Sequence, residues 1–140
     1  MRFEGRLFKV GRHWAVEVPI LGVTSQGRTR SDALVMIADA VEMLVDRKGF
    51  QVTVFAGDGD RLEIGASDQA ALTALLLRRA RLNAGLSLAE VATRLGAKSL
   101  NAYARYEQGR ATPSVEKLSQ LLSAVIPGRD FVLVESRASA

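Results

Sequence analysis

The chain has no cysteine, one histidine and one tryptophan among its 140 residues. Without thiols there is no disulfide scaffold and no thiolate metal site. The lone His13 has no cysteine or second histidine to form a zinc set, and a single loop histidine beside Trp14 reads as an exposed side chain rather than a general base. No apolar run approaches the roughly 20 residues that span a bilayer. The opening stretch, MRFEGRLFKVGRH, lacks the apolar core of a secretory signal. The expectation is a cytoplasmic protein with no membrane partner, no metal and no cofactor. What the chain does have is apolar residues, 48% of the total, enough to build a packed core.

Charge is unevenly distributed. Residues 1–66 hold nine Lys/Arg and nine Asp/Glu, whereas residues 67–140 hold ten and six, so the second half carries the whole net charge of +4. A basic half beside a neutral one suggests that only one half meets a polyanion.

The patterning divides at the same place. Residues 1–66 read as strands and one helix. Arg2–Val10 and Trp14–Val18 are strand-like around a short turn, Pro19 ends the second run, and Val23–Arg28 is a third extended run. Thr29 and Asp32 have capping-box spacing. They open a helix with an apolar stripe of Ala33, Leu34, Ile37, Val41, Leu44 and Val45, with Asp39, Glu42 and Asp46 facing water and Gly49 as its stop. Phe50–Phe55 and Arg61–Ile64 alternate around the turn sequence GDGD. The order is β-β-β-α-β-β.

Gly65–Asp68 read as a linker, after which the apolar period changes from two to about 3.6. Leu72, Leu75, Leu76 and Ala80 mark one helix. Ser87 and Glu90 form a second capping box before Leu88, Val91, Ala92 and Leu95. Ser99 caps a third helix with Ala102, Tyr103 and Tyr106 inward, and Ser114 caps a fourth with Leu118, Leu121, Leu122 and Val125 inward. Phe131–Val134 reads as a last short strand. The fold class expected is α+β: a β-rich domain over 1–66, an all-α domain of about four helices over 67–127, and a tail over 128–140 with a strand at 131–134.

The functional signal lies in residues 86–109, LSLAEVATRLGAKSLNAYARYEQG. Two short capped helices joined by a tight turn divide labour on DNA: one crosses the backbone and the next presents side chains to base edges. On the second, Asn101, Ala104, Arg105 and Gln108 fall at i, i+3, i+4 and i+7. Asn pairs bidentately with adenine and Arg with guanine. Arg94, Lys98 and Arg110 stand at element ends within reach of phosphates.

Residues 76–126 resemble the Xre/Cro-type repressor helix-turn-helix, on the pattern R-x-x-x-G-L-S, L-A-E-x-A-x-x-L-G, E-x-G and P-S before a Leu-rich helix. That resemblance implies that Arg81 and Glu107 form an internal salt bridge rather than DNA contacts. The interval from Gly96 to Glu107 is one residue longer than usual in that family. Counting back from Glu107 places Leu100, Asn101 and Arg105, next to Ser99, at base-reading positions; counting forward from Gly96 shifts them by one.

The segment W-A-V-E-V-P-I-L-G-V-T-S-Q-G-R-T-R-S-D-A-L resembles the HicB antitoxin domain, with Pro19, Gly22, Gln26, Gly27, Thr29 and Ala33 matching and Asp32 where glutamate is usual. Gly27 reads as a sharp turn. This resemblance implies a partial ribonuclease H-like fold without nuclease function. It also implies a HicA-like mRNA-cleaving toxin as partner and repression of the toxin's operon through the helix-turn-helix. It carries over no toxin-contact residues.

The expected protein is therefore a non-enzymatic antitoxin with no catalytic residues. It pairs as a homodimer or higher homo-oligomer so that two modules read half-sites about 34 Å apart. The alternative is a stand-alone transcriptional regulator whose N-terminal domain serves dimerisation or ligand sensing. An active nuclease fits less well, because Asp39, Glu42 and Asp46 read as one solvated helix face. GDGD is too short for a calcium loop. Phe8 and Trp14 are expected in the core.

Overall fold

A computed structural model describes residues 1–137. The chain forms two compact units, one of Met1–Gln69 joined by the tail from Glu135, the other of Ala70–Val134.

The first unit is an antiparallel sheet with a single helix. Its strands are β1 (Arg2–Val10), β2 (His13–Val18), β3 (Val23–Gly27), β4 (Val52–Ala56) and β5 (Arg61–Ala66), in spatial order β3-β2-β1-β5-β4. Helix α1 (Arg30–Val45) follows β3 and packs on β3, β2 and β4. Strand alternation sends Phe3, Leu7, Val16, Val18, Leu62 and Ile64 to the buried face, where they join Ala33, Ile37 and Val41 of α1.

The other face carries charge at alternate positions. The register sets Glu4 opposite Glu63 and Arg6 opposite Arg61, arrangements that repel if left alone. The ion pairs instead run diagonally, Arg2–Glu63 at 3.1 Å and Arg61–Glu4 at 3.9 Å, and across to β2 as Arg6–Glu17 at 3.0 Å. Arg2 also lies 3.4 Å over the Phe55 ring.

Several local expectations change. Phe8 is not a core residue but is 46% exposed. Leu7 takes the inward position, and a period of two buries only one of two neighbours. Trp14 is half-buried at the end of β2. The stop of α1 is Asp46 in the left-handed region at φ 50°, with Gly49 in the following turn at φ 80°; aspartate is among the few side chains that tolerate this conformation.

The Thr29 cap forms, with Asp32 N–H donating to Thr29 Oγ1 at 3.0 Å, but the Asp32 carboxylate accepts from Arg28 N–H rather than from the cap residue. Glu42 does not face open water: its carboxylate accepts the Val52 N–H at 2.8 Å and fixes the start of β4. Arg30 donates to the carbonyls of Gly57 and Gly59, so the first turn of α1 holds the GDGD hairpin.

Gly27 serves close approach rather than a turn. A Cβ there would stand 2.3 Å from the Ala33 backbone nitrogen, so the glycine lets α1 start directly against β3.

In the second unit are α2 (Gln69–Asn83), α3 (Leu88–Arg94), α4 (Leu100–Glu107) and α5 (Val115–Val125). The linker is shorter than expected: Gly65 and Ala66 belong to β5, leaving Ser67 and Asp68 before α2. Gly65 and Ala66 are drawn into the sheet, where Gly65 pairs with Arg2 and Thr53, and Ala66 with Val52. Burial along α2 extends beyond a stripe, with Ala71, Leu72, Ala74, Leu75, Leu76, Leu77 and Ala80 all buried. No strand forms at 131–134; the backbone from Arg129 to Arg137 is irregular. A strand exists only through a neighbour's hydrogen bonds, and β-rich composition supplies none. No helix among the described residues is long and apolar enough to cross a membrane.

Candidate nucleic-acid interface

Helix α3 begins with a complete capping box. Glu90 N–H donates to Ser87 Oγ at 3.1 Å and Ser87 N–H donates to the Glu90 carboxylate at 2.9 Å. It ends at Gly96, whose φ of 64° lets the chain reverse, with Ala97 N–H returning to the Ala92 carbonyl at 2.9 Å. The turn Leu95–Ser99 leads into α4. Ser99 is the N-cap of α4 but makes no side-chain capping bond, and of the first three amides of the helix Ala102 N–H turns back to the Ser99 carbonyl at 3.2 Å.

The orientation of α4 is fixed from behind. Arg81 on α2 grips Glu107 in bidentate fashion, Nε to Oε1 at 2.7 Å and Nη2 to Oε2 at 3.0 Å. Its remaining nitrogen donates to the Leu86 carbonyl at 2.9 Å. The Tyr103 hydroxyl donates to Glu107 Oε1 at 2.7 Å. The Arg81 and Glu107 side chains are only 12% and 6% exposed. A charge pair this far out of water persists only when its hydrogen bonds are met, and here they are.

The hydrogen bond to Glu107 raises the Arg81 pKa against the opposing effect of burial. Tyr103 is pushed up from its usual value near 10, first by burial and then by the bond to Glu107. A tyrosine whose pKa is higher folded than unfolded holds its proton longer in the native state, so its stabilisation is complete below pH 10 and is lost as pH rises beyond it. The thermal midpoint of the second unit is therefore expected to fall above about pH 10, and Tyr103→Phe to flatten that fall. Melting curves followed by circular dichroism between pH 8 and 11 check this.

With Tyr103 and Ala104 buried and Glu107 tied inward, the opposite face of α4 is set. Leu100, Asn101, Ala102, Arg105 and Gln108 are exposed. Two alanines thus exchange the places read for them: Ala104 is 5% exposed and inside, and Ala102 is outside. The Glu107 anchor, at i+4 from Tyr103 and i+3 from Ala104, rotates the buried stripe by one position. Counting back from Glu107 is the register that puts Asn101 and Arg105 outward. The Arg105 guanidinium sits 5.2 Å from the Tyr106 ring centroid, which limits its rotamers.

Among the expected phosphate contacts, Lys98 lies exposed in the turn and Arg110 exposed beyond α4. Arg94 has another use: it donates to the Ala124 carbonyl at 3.0 Å and satisfies one of the last carbonyls of α5. The signal missed in the sequence is the pairing of Tyr103 with Glu107, legible only as i, i+4 spacing. Among the described residues no group of three His, Asp or Glu side chains gathers to hold a metal ion.

Two helices in this relation, with an anchored second helix and a polar outer face, define a helix-turn-helix module. Residues 77–125 match the helix-turn-helix family model, of the Xre/Cro type. That match carries DNA binding and transcription regulation as the function of this part of the chain. No curated protein matches the chain.

Proposed function

We propose that this protein is a cytoplasmic, non-enzymatic HicB-like antitoxin that also represses its own operon. Its first unit neutralises a HicA-like mRNA-cleaving toxin, and α4, presented by a homodimer, reads the operator. The observation that carries the DNA reading is the outward Asn101 and Arg105 on a helix anchored through Arg81 and Glu107. The toxin reading is supported by the resemblance over Trp14–Leu34, on a chain whose first unit has the order β-β-β-α-β-β.

Separation of function tests it in the full chain. Arg105→Ala is expected to cost about 1–3 kcal/mol of operator binding and relax discrimination at one base pair. Lys98→Ala should weaken all sequences alike and lower the salt slope by about one. Both variants should still co-purify with, and detoxify, a HicA-like toxin. Intact operator binding in both would overturn the assignment of α4. Operator binding without any toxin capture would make the chain a stand-alone transcription regulator.

A further inference from the structure

Phe131–Val134 is a run of four apolar residues lying in water, with Phe131 42%, Val132 82%, Leu133 91% and Val134 69% exposed. Among the described residues none hydrogen-bonds to the backbone of these four. Three of the four are aromatic or β-branched, the types that fit a pleated surface. On its C-terminal side the segment is held, because the Ser136 hydroxyl donates to the Glu63 carboxylate at 2.5 Å and Arg137 N–H donates to it at 3.2 Å. A strand-forming segment whose ladder groups meet no partner among the described residues is a template for another chain.

We propose that Phe131–Val134 pairs antiparallel with the same segment of a second copy of this chain, with Val132 opposite Val132 on the two-fold axis. The flanking charges select both the partner and the register. In this alignment Phe131 faces Leu133 and Arg129 faces Glu135, each twice by symmetry. Sliding by one residue in one direction sets Asp130 against Glu135, a repulsive pair. Sliding the other way sets Arg129 as well as Asp130 against apolar residues, whereas the proposed register leaves only Asp130 so placed, opposite Val134. A second copy of the same sequence supplies the matching charge at both ends, which is the self-complementarity an isologous contact requires. One face of the paired strands then gathers Phe131 and Leu133 from both copies, closed at each end by an Arg129–Glu135 pair.

Such a pair joins two α4 helices about a two-fold axis, the symmetry of a palindromic operator. That use rests on the repressor reading, whereas the pairing itself is measured without DNA. Two strands this short bury less than the ~1,200 Å² of a standard stable interface, so the dimer dissociates on dilution.

The absence of cysteine makes the test clean, since Val132→Cys gives the full chain a single thiol. Residues opposed across an antiparallel pair lie within disulfide reach. Mild oxidation is expected to link Val132→Cys chains at least about tenfold faster than Met43→Cys chains, because pairing raises the effective concentration of the thiols. Met43 is the control because it is 79% exposed and lies on α1, outside the segment proposed to pair. In sedimentation velocity the unsubstituted chain should show a concentration-dependent dimer that Leu133→Asp abolishes with no change in melting midpoint. A chain that stays monomeric across the series, equal cross-linking of the two cysteine variants, or a dimer that survives Leu133→Asp would each overturn the proposal.

Discussion

Glu107→Ala is expected to destabilise the helix-turn-helix unit by about 3–5 kcal/mol, the typical effect of removing one partner of a buried ion pair. Three donors would lose their acceptor at once: Nε and Nη2 of Arg81 and the Tyr103 hydroxyl. The Arg81 guanidinium cannot escape by losing its proton, so it must stay charged in a site where its side chain is 12% exposed. Thermal or urea unfolding checks the size of the effect. Arg81→Met combined with Glu107→Leu should lose far less, because no unpaired charge remains. A loss below about 1 kcal/mol for Glu107→Ala would mean that the pair behaves like an exposed one. Glu107 touches no base in the proposed complex, yet its removal should also weaken operator binding, because Asn101 and Arg105 face outward only while Glu107 holds the other side of α4.

Gly27→Ala is expected to cost the first unit about 3 kcal/mol, the upper end of what an added methyl group costs in a packed site. The new Cβ would meet the Ala33 nitrogen at 2.3 Å, the Asp32 carbonyl carbon at 2.7 Å and the Ala33 Cα at 2.8 Å. All three are backbone atoms of the first turn of α1, so no rotamer change relieves the clash; the helix must lift from β3. Gly57→Ala is the matched control, since a Cβ there meets nothing within 4 Å. Urea unfolding of both variants decides the matter: equal midpoints would show that α1 can shift at little cost.

The contrast between these two sites shows how far the sequence is legible. The Arg81–Glu107 pair spans 26 residues and is expected only because the chain resembles a known motif, whereas the i, i+4 and capping patterns around it are local and legible from spacing. The glycine is visible as a residue but not as a requirement. A turn and a close approach demand the same absence of Cβ, and only the path of α1 over β3 distinguishes them. Glu42 is similar: its place on a polar helix face is periodic, but its use by Val52 N–H depends on where β4 enters the sheet. Arg94 reads as a phosphate contact because it is basic and terminal. The packing of α3 on α5 instead gives it a carbonyl to satisfy.

The sequence by itself determined the order β-β-β-α-β-β followed by four helices, the inward stripe of each helix to within one position, and the two residues that anchor α4. The order and the stripes follow from hydrophobic period and capping spacing, which act over a few residues, whereas the Arg81–Glu107 pair, 26 residues apart, came only from the resemblance to a known motif. Tertiary structure alone decided the strand order β3-β2-β1-β5-β4, the diagonal pairing of charges on the open sheet face, and the exchange of Ala102 and Ala104. It also left Phe131–Val134 without a partner strand among the described residues. Each of these depends on which distant backbone lies alongside. A strand's pairing, unlike a helix's, is never contained within its own residues.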